Sequence, residues 1–382
     1  MAALDGVRIL DLTRLLPGAY CTQLLADLGA DVVKVEDTGA GDYLRWMPPQ
    51  DDRGAPMFLS LNRNKRSLSI DLKHAEGVAA FLKVVANSDV VVEGFRPGVL
   101  ERLGAGYDAL AATNPRIILC SITGYGQNGP YRDRAGHDIN YAALSGVLGM
   151  ARDADGRPVV PAVQAGDLGG GALHAAVAVL AALIERERTG RGQWCDIAMA
   201  DGLVAWMAPM LAMQRATGSA VTARSTVLHG RHPCYRVYRC KDGYMSLGAL
   251  EPKFWKAFVA AIGVPELKAS QFADGAEAER VSSEIESALM NRTRREWQQA
   301  FNGADVCCEP VLDVGEVLQH EQASARQLDA GDGIATPIRC APEQAQQRRP
   351  APGFGEHTRE VLAEAGIAVT DIDVLYAQGV VR

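Results

Sequence analysis

The stretch 134–146, RAGHDINYAALSG, sets an imidazole and a carboxylate side by side behind a glycine: Gly136, His137, Asp138. The chain holds only 7 histidines. Imidazole gives and takes protons near neutral pH with little tuning. A lone histidine is equally a satisfied loop or core residue, so the trio by itself leaves both readings open. A second carboxylate, Asp167, stands in GDLGGG ahead of a long apolar run. Alone it is most simply a helix N-cap; if burial raises its pKa, it also moves protons. Glu251, in ALEP, is on its own a first-turn acid before Pro252.

Two basic stretches stand out against a net charge of -7. NRNKRS (62–67) carries Arg63, Lys65 and Arg66 just before an expected strand, with Lys73 closing that segment. EGFRPGVLERLG (93–104) places Arg96 and Arg102 around a Pro-Gly turn at a strand end. Ligands of open α/β sheets gather at the carboxyl ends of strands, and arginine grips phosphate through paired hydrogen bonds. Solvated surface charge is the competing reading of each stretch.

The elements that must position these groups are legible as alternating patterns. Residues 7–13, 31–36, 67–72, 89–95 and 116–124 are short Val- and Ile-rich runs bounded by turn residues, the pattern of strands. Helical patterns fall at 17–30 and 74–87, and the alternation predicts a parallel α/β sheet. The segment 166–192 reads as one long helix, apolar on nearly all sides and therefore buried. A strand at 194–199 follows, then a helical connector. Residues 234–250 carry a hairpin with Lys241-Asp242-Gly243 at its turn, and helices are expected at 252–263 and 280–301. A Pro- and polar-rich loop, 341–360, leads to a last helix at 358–366. The expected organisation is a large α/β domain (1–199), a linker (200–227), a small domain (228–310), a second linker (311–330) and a C-terminal segment (331–382) that returns to the large domain.

Several classes fall away. With 48% hydrophobic residues in 382, the chain supports a large core, and its acidic balance argues against a nucleic-acid partner. The first strand-turn-helix reads LTRLLPG where a dinucleotide site shows G-x-G-x-x-G, and no P-loop pattern is present. The 8 cysteines form no C-x-x-C pair and no H-E-x-x-H occurs, so no metal site is expected and buried thiols of a cytoplasmic protein are. The N-terminal MAALDGVRIL lacks a signal peptide's charged start. The apolar run 172–184 is too short to span a bilayer, so no membrane span is expected.

Taken in order, ILDLTRLLPGAYCTQLLADLGADVVKVE, LNRNKRSLSIDLK, VVEGFRPGVLERLG, GYGQNGPYRDRAGHDINY and GDLGGG resemble the family III CoA transferase superfamily. The likeness continues through GALEPKFW and EPVLDVGEVLQHE to the last helix. AGHDINY resembles the α-methylacyl-CoA racemase branch of that superfamily, since the transferase branch usually lacks this histidine. The resemblance implies a Rossmann-like sheet completed by the C-terminal segment, a smaller α+β domain, and an interlocked homodimer. It implies catalysis by His137 on one face of the substrate and Asp167 on the other, with Glu251 of the small domain hydrogen-bonded to the histidine. CoA contacts are implied at Ile70, Asp71, Leu72, Lys73, Gly94, Phe95, Arg96, Arg102, Gly136, Asp138, Ile139, Asn140 and Tyr141. CoA is part of the substrate, and no separate cofactor is expected. One position departs: Asp37 stands where relatives often carry Arg or Pro, which removes a phosphate contact.

The implied chemistry is epimerisation beside a thioester carbonyl, in which one group removes a proton and another returns it from the opposite face. Free N–H groups at the helix start would stabilise the enolate, and Gly169 to Gly171 would let the thioester approach closely. Two rivals remain: a CoA transferase with Asp167 as nucleophile, in which His137 is superfluous, and a non-catalytic CoA-thioester-binding protein.

Overall fold

The computed structural model describes residues 2–153, 155–331, 333–339 and 349–382. Residues 341–348 of the expected Pro-rich loop lie outside them. The chain divides into two compact units. The first comprises the residues to Leu148, Val159–Ala208 and Gln322–Arg382; the second comprises Gly149–Pro158 and Pro209–Glu321.

The first unit is built on six parallel strands, β1 (Arg8–Leu12), β2 (Asp31–Glu36), β3 (Lys65–Ser69), β4 (Val90–Glu93), β5 (Ile118–Thr123) and β6 (Trp194–Ala198). Their order is β3-β2-β1-β4-β5-β6. The central strands are apolar runs rather than alternating ones because helices cover both faces. On one face Ile9, Val32, Val90, Ile118 and Cys120 pack with Cys21 and Leu25 of the helix Leu15–Asp27 and with Ala175 and Val179. On the other, Leu10, Val33, Leu68 and Val91 meet Phe81 and Val84 of the helix Ala75–Ala86. Val361 and Leu362 of Thr358–Glu364, and Ile372 and Leu375 of Val369–Ala377, complete that face, so the C-terminal segment finishes the sheet domain. Strand order reverses between β1 and β4, and the connections diverge there to open a crevice at the carboxyl ends.

Three expectations are corrected. β3 begins at Lys65, so Lys65 and Arg66 belong to the strand and not to a preceding loop. The segment 166–192 opens as a π-helical turn, Gly166–Leu173, before continuing as the α-helix His174–Thr189. The continuous 24-residue helix is by length and composition long enough to cross a membrane, unlike its 172–184 core, and half of its apolar window is buried. Leu173, Val177 and Ile184 remain exposed, so it is not buried all round.

The second unit holds an antiparallel sheet of β7 (Tyr235–Cys240), β8 (Gly243–Gly248) and the short β9 (Cys308–Pro310). Trp255 and Phe258 of the helix Pro252–Ala261 pack on it, with Val281 and Ile285 of Gly275–Leu289 and Trp297 of Arg294–Phe301. The helix expected over 280–301 is thus two. Thr293 caps the second, its N–H donating to Glu296 Oε2 at 2.8 Å.

Candidate active site

Two adjoining cavities open at the carboxyl ends of the parallel strands and share Thr13, Arg14 and Phe95. The first, of about 270 Å3, is mainly apolar and is lined by Val35, Asp37, Ile70, Leu72 and Lys73 among others. The second, of about 300 Å3, gathers Arg96, Arg132, Arg134, His137, Tyr141 and Asp167.

The sheet reaches this cleft through a buried salt cluster. Lys34 Nζ lies 2.8 Å from Asp42 Oδ2, and Lys65 Nζ lies 3.1 Å from Asp11 Oδ2, all four side chains being fully enclosed. Lys65 also donates to Ala19 O and Asn62 Oδ1. Burial pushes Lys65 down to about 8. Burial opposes the ionisation of Asp11, but Lys34 and Lys65 hold its pKa below the usual carboxylate range. Asp42 Oδ1 accepts the N–H of Leu15, a residue in the left-handed region at φ 62°, at 3.1 Å. Such strain persists only where its surroundings fix it, and the cluster fixes the turn that presents Arg14. The Arg14 guanidinium pairs with Asp37 at 2.5 Å and lies 5.0 Å from the Tyr43 ring centroid.

Of the first basic stretch, Arg63, Lys65 and Arg66 are therefore taken up by carboxylates of the protein, and Lys73 alone lines the first cavity. Arg63 pairs with Asp27 at 2.5 Å, Lys65 is sealed in the cluster, and Arg66 joins Asp31, Glu360 and Glu364. Arg96, in the second stretch, is exposed and lines the second cavity. Glu93, at the end of β4, accepts the Phe95 N–H at 2.7 Å and so holds the loop that carries Arg96; burial pushes it up to about 7.

His137 is exposed and stands at the N-cap of the helix Asp138–Ser145. Its N–H donates to Asn140 Oδ1 at 3.0 Å. The glycine before it is required by packing: a Cβ on Gly136 would lie 2.7 Å from the Tyr141 ring and 2.8 Å from the Tyr125 hydroxyl. Tyr141 Oη donates to Gly136 O at 2.6 Å, and burial raises its pKa, with Asp167 adding to the effect.

Asp138 is engaged by the protein itself. Its Oδ1 accepts the N–H groups of Gly166 at 2.6 Å and Asp167 at 2.9 Å, tying the histidine helix to the turn that carries Asp167. Leu168 N–H donates to Gln164 O at 2.9 Å. The N–H groups expected to face an enolate at this helix start are thus already paired. Burial, with Asp138 beside it, pushes Asp167 up to about 6 against the pull of His137. The three glycines are likewise occupied by the protein. A Cβ on Gly169 would fall 1.8 Å from Trp206, one on Gly170 2.4 Å from Met199 O, and one on Gly171 2.8 Å from Met199 Cγ. They admit the helix Met199–Trp206 rather than a thioester.

Of the implied contacts, Ile70, Asp71, Leu72 and Lys73 line the first cavity, Phe95 lines both, and Gly94, Arg96, Gly136, His137, Tyr141 and Asp167 line the second. Asp138, Arg102, Ile139 and Asn140 line neither. Glu251 belongs to the second unit, at the N-cap of Pro252–Ala261. Arg14, Arg132 and Arg134 also line the second cavity; for the last two, R-D-R immediately before AGHD was the available signal, and for Arg14 the turn LTRLLPG at the end of β1.

A doubly wound sheet with an apolar cleft beside a more polar one, both at the carboxyl ends of its strands, defines an α/β protein with its ligand site at the reversal of strand order. The chain belongs to CoA-transferase family III, whose pattern matches residues 4–358. It is 35% identical to the α-methylacyl-CoA racemase of Mus musculus over 99% of this chain and 97% of that one. It is also 35% identical to the succinyl-CoA:glutarate CoA-transferase of Mus musculus, over 95% and 86% of the two chains. A CAIB/BAIF family protein from Brucella suis shares the fold with a TM-score of 0.84 at 31% identity, covering 95% of this chain and 99% of that one.

Proposed function

We propose that this enzyme inverts the α-carbon of 2-methyl-branched acyl-CoA thioesters by two-base proton transfer. The observation that carries the reading is the meeting of His137 and Asp167 in one cavity, with the carboxyl raised to about 6. One group removes the α-proton to leave an enolate. The other returns a proton from the opposite face. A working pKa near neutral suits both tasks, and burial of Asp167 supplies it. The apolar first cavity takes the adenosine end of CoA, and Arg96 meets its phosphates.

The second reading, CoA transfer with Asp167 forming a mixed anhydride and then a CoA thioester, is favoured by the equal identity to a succinyl-CoA:glutarate transferase. His137 has no task in that reaction. Incubation of one enantiomer of a 2-methylacyl-CoA in D2O separates the two. Deuterium uptake with loss of optical purity supports racemisation. Transfer of CoA to an added free acid, without exchange, replaces it.

The proposed assembly is a homodimer in which Glu251 of a second copy orients His137. The exposed apolar face of Leu173, Val177 and Ile184 supports burial against another chain. Sedimentation that gives a folded monomer at working concentration removes the dimer and the role of Glu251 with it.

A further inference from the structure

The π-helical turn that carries Asp167 is not stabilised by its own residues. Gly169, Gly170 and Gly171 lie within it, and each glycine costs about 1 kcal/mol of helix stability relative to alanine. A π-turn also holds one residue more than an α-turn and appears mostly as a short insertion at functional sites. Relaxation to α geometry would remove that extra residue from the turn. Everything before it would then rotate by roughly 100° about the helix axis, carrying Asp167 off its bearing.

Two side chains hold the turn from outside the backbone ladder. Asp138 takes the first two N–H groups. At the other end, where π gives way to α, His174 reaches back and places its Nδ1 2.9 Å from Gly169 O. A carbonyl oxygen only accepts, so Nδ1 carries the hydrogen, and the bond exists in the neutral and charged rings alike. The backbone N–H of His174 goes instead to Gly171 O.

We propose that His174 is a positioning residue: its ring holds the π-turn at Gly169 and thereby keeps the Asp167 carboxylate aimed into the cavity beside His137. The inference rests on Asp167 being the working carboxylate, and it serves racemisation and CoA transfer equally.

His174→Leu removes the donor and keeps the bulk; His174→Asn returns an amide N–H near the position of Nδ1. Expected in H174L is a kcat 10- to 100-fold lower at a KM within about twofold, with most of kcat restored in H174N. A second readout needs no turnover. The Asp167 carboxyl is titrated by infrared difference spectroscopy, with Asp167→Asn as the blank. The groups that face it are Asp138, His137 and Tyr141, all retained in both variants. Its midpoint should fall toward an ordinary carboxylate in H174L and return in H174N. Should H174L not fold, His174→Ala takes its place. A wild type that turns over no thioester sinks the functional reading and leaves the titration to decide this one. Wild-type kcat and an unmoved midpoint in H174L overturn the proposal, and so does an H174N as impaired as H174L.

Discussion

Asp167→Asn should stabilise the folded protein while it abolishes turnover. The carboxyl is raised from 3.8 to about 6 by burial and by Asp138. A group whose folded pKa lies above its unfolded one favours folding only while it can hold its proton. Below pH 4 the carboxyl is protonated in both states, and the substitution gains nothing. As pH climbs through 4 to 6, the unfolded chain ionises first and wild type loses stability. Above pH 7 the loss is complete, at about 3 kcal/mol for the full shift. Contact with solvent trims this to about 2 kcal/mol, or about 5 °C in the melting of the first unit. The assay is paired thermal and urea unfolding of wild type and D167N at pH 4 and pH 8. The variant should melt together with wild type at pH 4 and clearly above it at pH 8. Equal stability at pH 8 means that Asp167 is not held in an unfavourable setting, and the pKa argument for its role fails.

Arg96→Ala should raise KM about tenfold with kcat little changed, since a phosphate contact far from the reacting carbon binds ground and transition states alike; added salt should shrink the difference, and a fall in kcat alone would move Arg96 to the chemistry. Lys65→Met leaves Asp11 enclosed with Lys34 at 3.8 Å as its remaining cation, beside two hydroxyls and the Thr13 N–H, so the first unit should lose about 3–5 kcal/mol by urea titration; a loss under 1 kcal/mol contradicts the buried cluster. Gly170→Ala drives a methyl to 2.4 Å from Met199 O and should cost 2 kcal/mol or more in the same titration, whereas a neutral variant shows that the helix Met199–Trp206 packs elsewhere.

The strands were legible because burial on both faces leaves runs such as Val90–Val92 without polar interruption. The order of those strands was not, since it depends on pairings such as Leu10 with Val91 that no local pattern records. Lys65 and Arg66 misled for the same reason. Their charges are matched by Asp11, Asp31, Glu360 and Glu364, far along the chain. A basic run reads as loop when its partners cannot be seen. The break between the last two long helices of the second unit did have a local signal, the Thr293…Glu296 capping box, hidden inside an otherwise continuous helical pattern. At the site, the positions of His137 and Asp167 stood out by residue type and resemblance. The tasks of their neighbours did not. Asp138 looked like a ligand contact and is a clamp, and the three glycines looked like space and are filled by Trp206 and Met199.

The two cavities share Thr13, Arg14 and Phe95 in their walls. A ligand that occupies both passes these three side chains, with one half in each basin. Small fragments chosen for one basin therefore leave the other vacant, and two fragments can sit together without competing. Joining them with a tether that clears Phe95 makes the second docking intramolecular, so affinity grows through effective concentration with no new contact to the protein. Too short a tether forfeits the gain entirely, which makes the path past these three shared side chains the ruler for any bivalent inhibitor.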